Sequence, residues 1–327
     1  MAGNTRTETS RIGLALGSGA ARGWAHIGVL RSLHEADIVP GVVCGTSIGA
    51  LVGAFYATGQ LDTLESWVRR MNWREIVRYL DVNLIAGGGF VEGARLMDFL
   101  KSKLSEPRIE DLDVPYAAVA TDLNRGQEVW FRDGPLIPAV RASIALPGMF
   151  TPARQDDTWL VDGGLVNPVP VSLCRAMGAD VVIAVNLNGD ILGRHARRSA
   201  FEREADASSD TPGAALLDML PQSLHMRASL LVSRLSGSRP QVPGLFDVIT
   251  GSINIMQDRI TRSRMAGDPP TVALSPGLRH IGLMEFDRAE EAIEEGRAAV
   301  RRMLPALREA VGLDGTDPEP ATPDASA

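Results

Sequence analysis

Ser47 stands in the order Gly45-Thr46-Ser47-Ile48-Gly49, after the apolar run Val42-Val43-Cys44 and before a small-residue helical pattern that starts at Ile48. A serine held on a sharp strand-to-helix turn has its hydroxyl pushed out of the fold. Glycines two residues to either side leave room for backbone that a Cβ would block. The following helix aims free N–H groups and partial positive charge at any negative charge that forms beside the serine. The chemistry this suits is nucleophilic attack on an acyl carbon. The bland alternative is a chance match of a short pattern, which the strand–turn–helix context disfavours.

Such a serine needs a base, and acyl transfer needs donors for the oxyanion. The loop Gly17-Ser18-Gly19-Ala20-Ala21-Arg22-Gly23 could supply converging backbone N–H groups. Glycine loops at helix N-termini also bind phosphate. This one has neither the three-glycine spacing of a dinucleotide site nor the Gly-Lys-Ser/Thr of a P-loop, and both readings stay open. Among the five histidines, His26 and His34 lie on the first helical pattern, His195 and His225 in an irregular stretch, and His280 before the last helix. The order serine, acid, histidine of α/β-hydrolases could use only the last three, and none follows a strand end in a recognisable loop. Asp162 ends the strand Trp159-Leu160-Val161 and precedes Gly163-Gly164. A carboxylate at such a strand end could take the serine proton directly. An Asp before Gly-Gly can also be a plain turn former. No His/Cys/Asp cluster has metal-ligand spacing, so neither metal nor other cofactor is expected.

The elements that must position these residues follow from periodicity. Ile12–Leu16 reads as a short buried strand, followed by the small-residue loop, a helix through Trp24, Ile27, Leu30 and Leu33, and the strand into Ser47. That is a β-α-β unit, which implies a parallel sheet with a right-handed crossover. The helix from Ile48 stops near Gly59. Two amphipathic helices are expected over 61–80, a loop over 81–93 and a helix over 94–104. Strands at 116–123 and 128–132 are joined by a turn at Asn124-Arg125-Gly126. A helix at 136–143, a short strand at 158–161 and a buried strand at 181–187 follow. After the irregular stretch come a helix from Leu245 to about Met265, a strand at 271–274 and a helix over 287–311. Within the irregular stretch, the leucines of 214–235 suggest a broken amphipathic hairpin that packs on the main domain or acts as a lid.

The chain has 327 residues, 45% of them hydrophobic and 22% charged, ordinary for a globular protein. A net charge of −7 gives no reason to expect nucleic acid as a partner. Cys44 and Cys174 lie in apolar surroundings and read as buried free thiols. The first ten residues are polar without an apolar signal core, and no stretch reaches the roughly 18 apolar residues of a spanning helix. A cytoplasmic protein is the expectation.

Taken together, Leu16-Gly17-Ser18-Gly19-Ala20-Ala21-Arg22-Gly23, Gly45-Thr46-Ser47-Ile48-Gly49 and Asp162-Gly163-Gly164 resemble the motifs of the patatin-like phospholipase family. Arg141-Ala142-Ser143-Ile144-Ala145-Leu146-Pro147-Gly148 and Val166-Asn167-Pro168-Val169-Pro170 are similar to segments of its bacterial members. The resemblance runs from Arg11 to Asn188, and more loosely from Leu245 to Arg301. It implies a three-layer α/β fold around a mostly parallel central sheet, over residues 11–311 with an insertion at about 189–243. Disordered ends are expected at 1–10 and 312–327. It further implies Ser47 as nucleophile and Asp162 as base, with Gly17, Ser18, Gly19, Ala20, Arg22 and Gly23 as the oxyanion hole. Gly45, Thr46, Ile48 and Gly49 would form the elbow, and Gly163 and Gly164 complete the acid's motif. The implied reaction is serine-dependent hydrolysis of a lipid acyl ester through an acyl-enzyme, with peripheral contact to a membrane allowed. The family's loop is usually Gly-Gly-Gly-x-Arg-Gly, whereas Ser18-Gly19-Ala20 keeps one of those three glycines. If Ala20 had to adopt φ > 0, the strain would be about 1 kcal/mol or more. A weakened loop would suit a second function, a regulatory lipid- or acyl-binding protein with little turnover.

Overall fold

A computed structural model describes residues 10–72, 93–189 and 245–313. The expected second helix up to Leu80 with Trp73, the triple-glycine loop, most of the 189–243 insertion with its leucine hairpin, and both expected disordered ends except Ser10, Gly312 and Leu313 lie outside these residues. Contacts divide the chain into two units, Met1–Leu192 with Thr250–Ala327, and Gly193–Ile249. The first holds the sheet.

Its strands are β1 (Ile12–Leu16), β2 (Val42–Thr46), β3 (Tyr116–Asp122), β4 (Glu128–Phe131), β5 (Ala153–Gln155), β6 (Thr158–Asp162), β7 (Val181–Val185) and β8 (Val272–Leu274). Four strand pairings are parallel: β1 with β2, β1 with β7, β2 with β3, and β7 with β8. The three antiparallel pairings are β3 with β4, β3 with β6, and β5 with β6. The mostly parallel sheet expected from the β-α-β pattern is therefore present, with antiparallel strands confined to the β3 end. The sequence reading missed β5 and placed the short β6 one residue too short.

Alternation along the strands sorts side chains into two cores. Leu14, Leu16, Val43, Tyr116, Ile183 and Val185 face one side, under α1 (Ala25–Glu35), α2 (Ile48–Ala57) and the helix Ala289–Val311. Ala15, Cys44, Ala117, Val119 and Ala184 face the other, beneath the short helix Val171–Ala176, which the sequence reading did not anticipate. That second face carries alanines, valines and Cys44, and Met265 packs on it beside the short helix. Numbered in chain order, the remaining helices are α3 (Leu61–Val68), α4 (Ala94–Leu104), α5 (Leu136–Ser143), α6 (Val171–Ala176), α7 (Leu245–Gly267) and α8 (Ala289–Val311). Cys44 and Cys174 are buried and unbridged in the second core. No helix among the described residues is long and apolar enough to cross a membrane.

Helices α1 and α8 touch backbone to backbone. A Cβ on Gly28 would lie 1.8 Å from the Ile293 carbonyl oxygen, and one on Gly296 would lie 2.0 Å from that of Ala25. Gly28→Ala should therefore force the helices apart and destabilise the fold by about 1–3 kcal/mol, read as a lower urea midpoint at unchanged slope.

Candidate active site

β2 ends at Thr46 and α2 begins at Ile48, so one residue turns the chain. Ser47 does so at φ 58° and ψ −124°, a strained backbone for a residue with a Cβ, at a cost of about 1–3 kcal/mol. The flanking glycines are required by close approach. A Cβ on Gly45 would sit 2.4 Å from the backbone of Ala50, and one on Gly49 would sit 2.1 Å from the Leu16 carbonyl oxygen. Hydrogen bonds hold the turn. The Ser47 N–H donates to Ser143 Oγ at 2.8 Å, Thr46 Oγ1 donates to the Asn167 carbonyl at 2.8 Å, and the Ser47 carbonyl accepts from Ala50 N at 2.9 Å.

Register brings Asp162 to the same place. β4 pairs with β3 from Ala118 to Thr121 and so occupies one edge of β3. β2 pairs along Tyr116–Val119 and β6 along Ala120–Asp122, and each overlaps β4, so both lie on the other edge. They run towards each other. Thr46 is opposite Val119, Asp162 is opposite Ala120, and the two strand ends abut. Ser47 Oγ donates to Asp162 Oδ2 at 2.5 Å. Asp162 is fully buried, and its other oxygen accepts from the Gly164 N–H at 2.7 Å, within the 3₁₀ turn Gly163–Leu165. Its backbone is fixed by Asp162 N to the Ala145 carbonyl at 3.0 Å and by Thr121 Oγ1 to its own carbonyl at 2.8 Å. Burial raises its carboxyl from 3.8 to about 6, against the lowering effect of the bonds from Ser47 and Gly164. None of the described histidines touches the pair. His26 Nε2 bonds the Gly17 carbonyl at 2.8 Å, His34 bonds Tyr56, and His280 pairs with Glu291.

The loop after β1 divides its amides. Those of Gly17, Ser18, Ala21 and Arg22 donate to Val185, Pro168, Leu283 and Gly19 carbonyls. Gly17, Ser18 and Arg22 therefore do not offer their N–H groups to an oxyanion, a correction to the six-residue hole expected from the sequence. Gly19 and Ala20 have no amide partner among the described residues. Ala20 adopts φ 49°, so the strain expected if this position needed positive φ is present. Gly23 lies against Ile48, where a Cβ would be 2.2 Å from its side chain. Arg22 is buried and donates from Nη2 to Asn254 Oδ1 at 3.1 Å, while burial lowers its guanidinium to about 10.

A cavity of about 80 Å³ opens on Ser47 and Ala20. Trp24, Leu51, Trp67, Phe150 and Phe286 are among its walls, which are almost wholly apolar. Among the described residues no group of three His, Cys, Asp or Glu side chains could hold a metal ion.

A model of the family described as Patatin-like phospholipase matches residues 14–175. An uncharacterised NTE family protein of Mycobacterium tuberculosis is 34% identical over 338 aligned residues, covering 92% of this chain and 93% of that one. The chain belongs to the patatin-like phospholipase family. It is also 40% identical to a patatin-like phospholipase domain-containing protein of Caenorhabditis elegans, over 54% of this chain and 13% of that longer one. Among solved structures, VipD from Legionella pneumophila aligns with a TM-score of 0.42 at 13% identity, over 91% of this chain and 67% of that one.

In this patatin-like chain, three site residues escaped the reading of single positions. Ser143 caps the elbow amide. Asn167 binds both halves, its carbonyl accepting from Thr46 and its N–H donating to Gly163 at 2.9 Å. Its side chain donates to Glu128, which Arg264 of α7 neutralises. Gln257 of α7 accepts from Ser18 Oγ at 3.0 Å and from Asn188 Nδ2 at 3.2 Å. The first two lie in segments whose resemblance was visible. Gln257 had no signal beyond a polar residue on an amphipathic helix.

The raised Asp162 carboxyl has a thermodynamic consequence. The folded state holds this proton more tightly than the unfolded chain, so the group stabilises the fold at low pH. That contribution is lost as pH rises from about 4 through about 6, and is worth about 3 kcal/mol at 1.36 kcal/mol per pKa unit. Asp162→Asn keeps the shape without the charge. It should exceed the parent in stability by up to about 3 kcal/mol near pH 8 and match it near pH 4, as read by urea titration at both values.

Proposed function

We propose that this protein is a serine-dependent lipid acyl hydrolase. The observation that carries the reading is the Ser47 hydroxyl donating to the buried Asp162 carboxylate at 2.5 Å from a strained elbow. The apolar cavity at Ser47 receives the acyl chain of the ester. Ser47 Oγ attacks the carbonyl carbon while Asp162 takes its proton. The N–H groups of Gly19 and Ala20 and the N-terminus of α2 stabilise the oxyanion. Collapse expels the alcohol, which takes the proton from Asp162 and leaves an acyl-Ser47 ester. Water then attacks that ester as Asp162 accepts a proton, and the second collapse releases the fatty acid and restores Ser47.

A second reading keeps one specific observation. Ala20 adopts φ 49° where the family usually has glycine, which suits a lipid- or acyl-binding protein with little turnover. A panel of ester substrates separates the two, because a binder would show affinity without Ser47-dependent hydrolysis.

The hydrolase reading has an expected pH profile. Only ionised Asp162 can accept the proton, so kcat/KM should rise with pH through about 6. A fluorophosphonate should form one adduct, on Ser47. Asp162→Asn should lower labelling and turnover by several orders of magnitude, and combining it with Ser47→Ala should add little, because the pair acts as a unit. An Asp162→Asn variant as active as the parent would sink the dyad.

The loop gives a separate expectation. A Cβ on Gly19 would lie 2.7 Å from the Leu187 side chain, so Gly19→Val should displace the loop and cost on the order of 100- to 1000-fold in kcat. Ala20→Gly should raise kcat. Steady-state rates on one soluble ester, with circular dichroism as the folding control, measure both.

A further inference from the structure

The catalytic cavity has a neighbour. A surface groove lies along α3 and α4, walled by Asp62, Ser66, Arg70, Phe99 and Lys103. Trp67 lines both the groove and the cavity, and it is the one described residue that does. Trp67 thus stands between an almost wholly apolar space beside Ser47 and a solvent-open groove of mixed polarity.

Aromatic contacts hold the partition on two sides. Trp67 stacks on Phe99 with ring centroids 4.2 Å apart and planes 23° from parallel. Its edge meets Trp24 at 6.3 Å and 85°. Trp24 is itself tied down, its Nε1–H donating to the Phe286 carbonyl at 3.1 Å. Trp24 also ends the 3₁₀ turn Ala20–Trp24 that continues the loop beside Ser47. The wall that bounds the cavity is thus continuous with the loop that faces the nucleophile.

We infer that Trp67 sets the length of the acyl chain this site accepts, by closing the cavity of an ester substrate class with a single apolar tail. The inference rests on the hydrolase reading for its substrate, but the wall itself is independent of turnover. A chain that fills the cavity meets the indole. Each further methylene must then turn back to solvent and forgo burial worth roughly fourfold in affinity, the equivalent of 0.8 kcal/mol. Removing the indole joins the two spaces, and a longer chain leaves through the groove past Phe99.

The test compares p-nitrophenyl acetate, butyrate, octanoate, laurate and palmitate on the parent chain, Trp67→Ala and Trp67→Phe. For the parent, kcat/KM should climb with length and then fall. Trp67→Ala should raise the ratio of laurate to butyrate by roughly tenfold or more, equivalent to about 1.4 kcal/mol. Trp67→Phe, which keeps a ring in the wall, should retain most of the parent's profile. Trp67→Leu replaces the alanine variant if the latter fails to fold. A ratio unchanged in the folded alanine or leucine variant, or one rate factor across all lengths, would overturn the inference. A second arm removes chemistry: calorimetric titration of Ser47→Ala, with and without Trp67→Ala, by the matching fatty acids. A shifted length limit in binding with no hydrolysis in the parent overturns the hydrolase reading and keeps the partition. Hydrolysis with an unshifted limit in both arms does the reverse.

Discussion

Two strands meeting end to end on one edge of β3 are the constraint on which this site depends. β2 arrives parallel and stops at Val119; β6 arrives antiparallel and stops at Ala120. Two chain ends then have to leave the sheet at one point. One leaves through a single-residue turn at Ser47 and the other through the 3₁₀ turn after Asp162. Because β4 holds the opposite edge of β3 over Ala118–Thr121, β2 and β6 have to share the one edge that is left. The 2.5 Å bond between the two side chains follows from strand register, with the loop residues Asn167 and Ala145 holding the two chain ends in place.

The same point concentrates cost. Ser47 and Ala20 both hold positive φ, and Asp162 is a fully buried carboxyl whose bonding partners among the described residues are a hydroxyl and an amide. Each is unfavourable by amounts that matter in a fold stable by only about 5–15 kcal/mol. What offsets them is rigidity nearby. The Ser143 hydroxyl receives the elbow amide, Asn167 ties Thr46 to the turn after Asp162, and His26 fixes the Gly17 carbonyl from inside the core. Helix α7 adds Asn254 on Arg22, Gln257 on Ser18 and Arg264 on Glu128. A strained geometry persists only when its surroundings over-determine it, and here several elements do so together.

The contrast between the two sides of Ser47 gives the site its direction. Towards α2 and α3 the space is apolar and aromatic. Towards α7 the groups are amides, a hydroxyl and a buried guanidinium. The hydrolase proposed above would place the acyl chain of its ester on the first side and the polar alcohol on the second.

Sequence alone determined the elements that repeat with a period. The strand 12–16, the strand expected over 181–187 and found at 181–185, the helices 94–104 and 136–143, and the strand-to-helix turn at Ser47 were legible because alternation, helical spacing and paired glycines are local properties. The need for Gly45 and Gly49 was also legible, since neighbouring backbone packs closely on such a turn, but only the fold shows that the Leu16 carbonyl is what meets Gly49. What sequence left open was the base. Asp162 before two glycines reads equally as a turn former, and only pairing of β6 with the far half of β3 sets it against Ser47. The loop was a second limit: Gly17, Ser18 and Arg22 lost their place as donors because their amides found carbonyls on β7, on Pro168 and within the loop itself. Helix α6, strand β5 and the role of Gln257 are non-local for the same reason. A short segment or a lone polar side chain carries too little periodicity to declare itself, and its place is decided by what the rest of the chain leaves uncovered or unbonded.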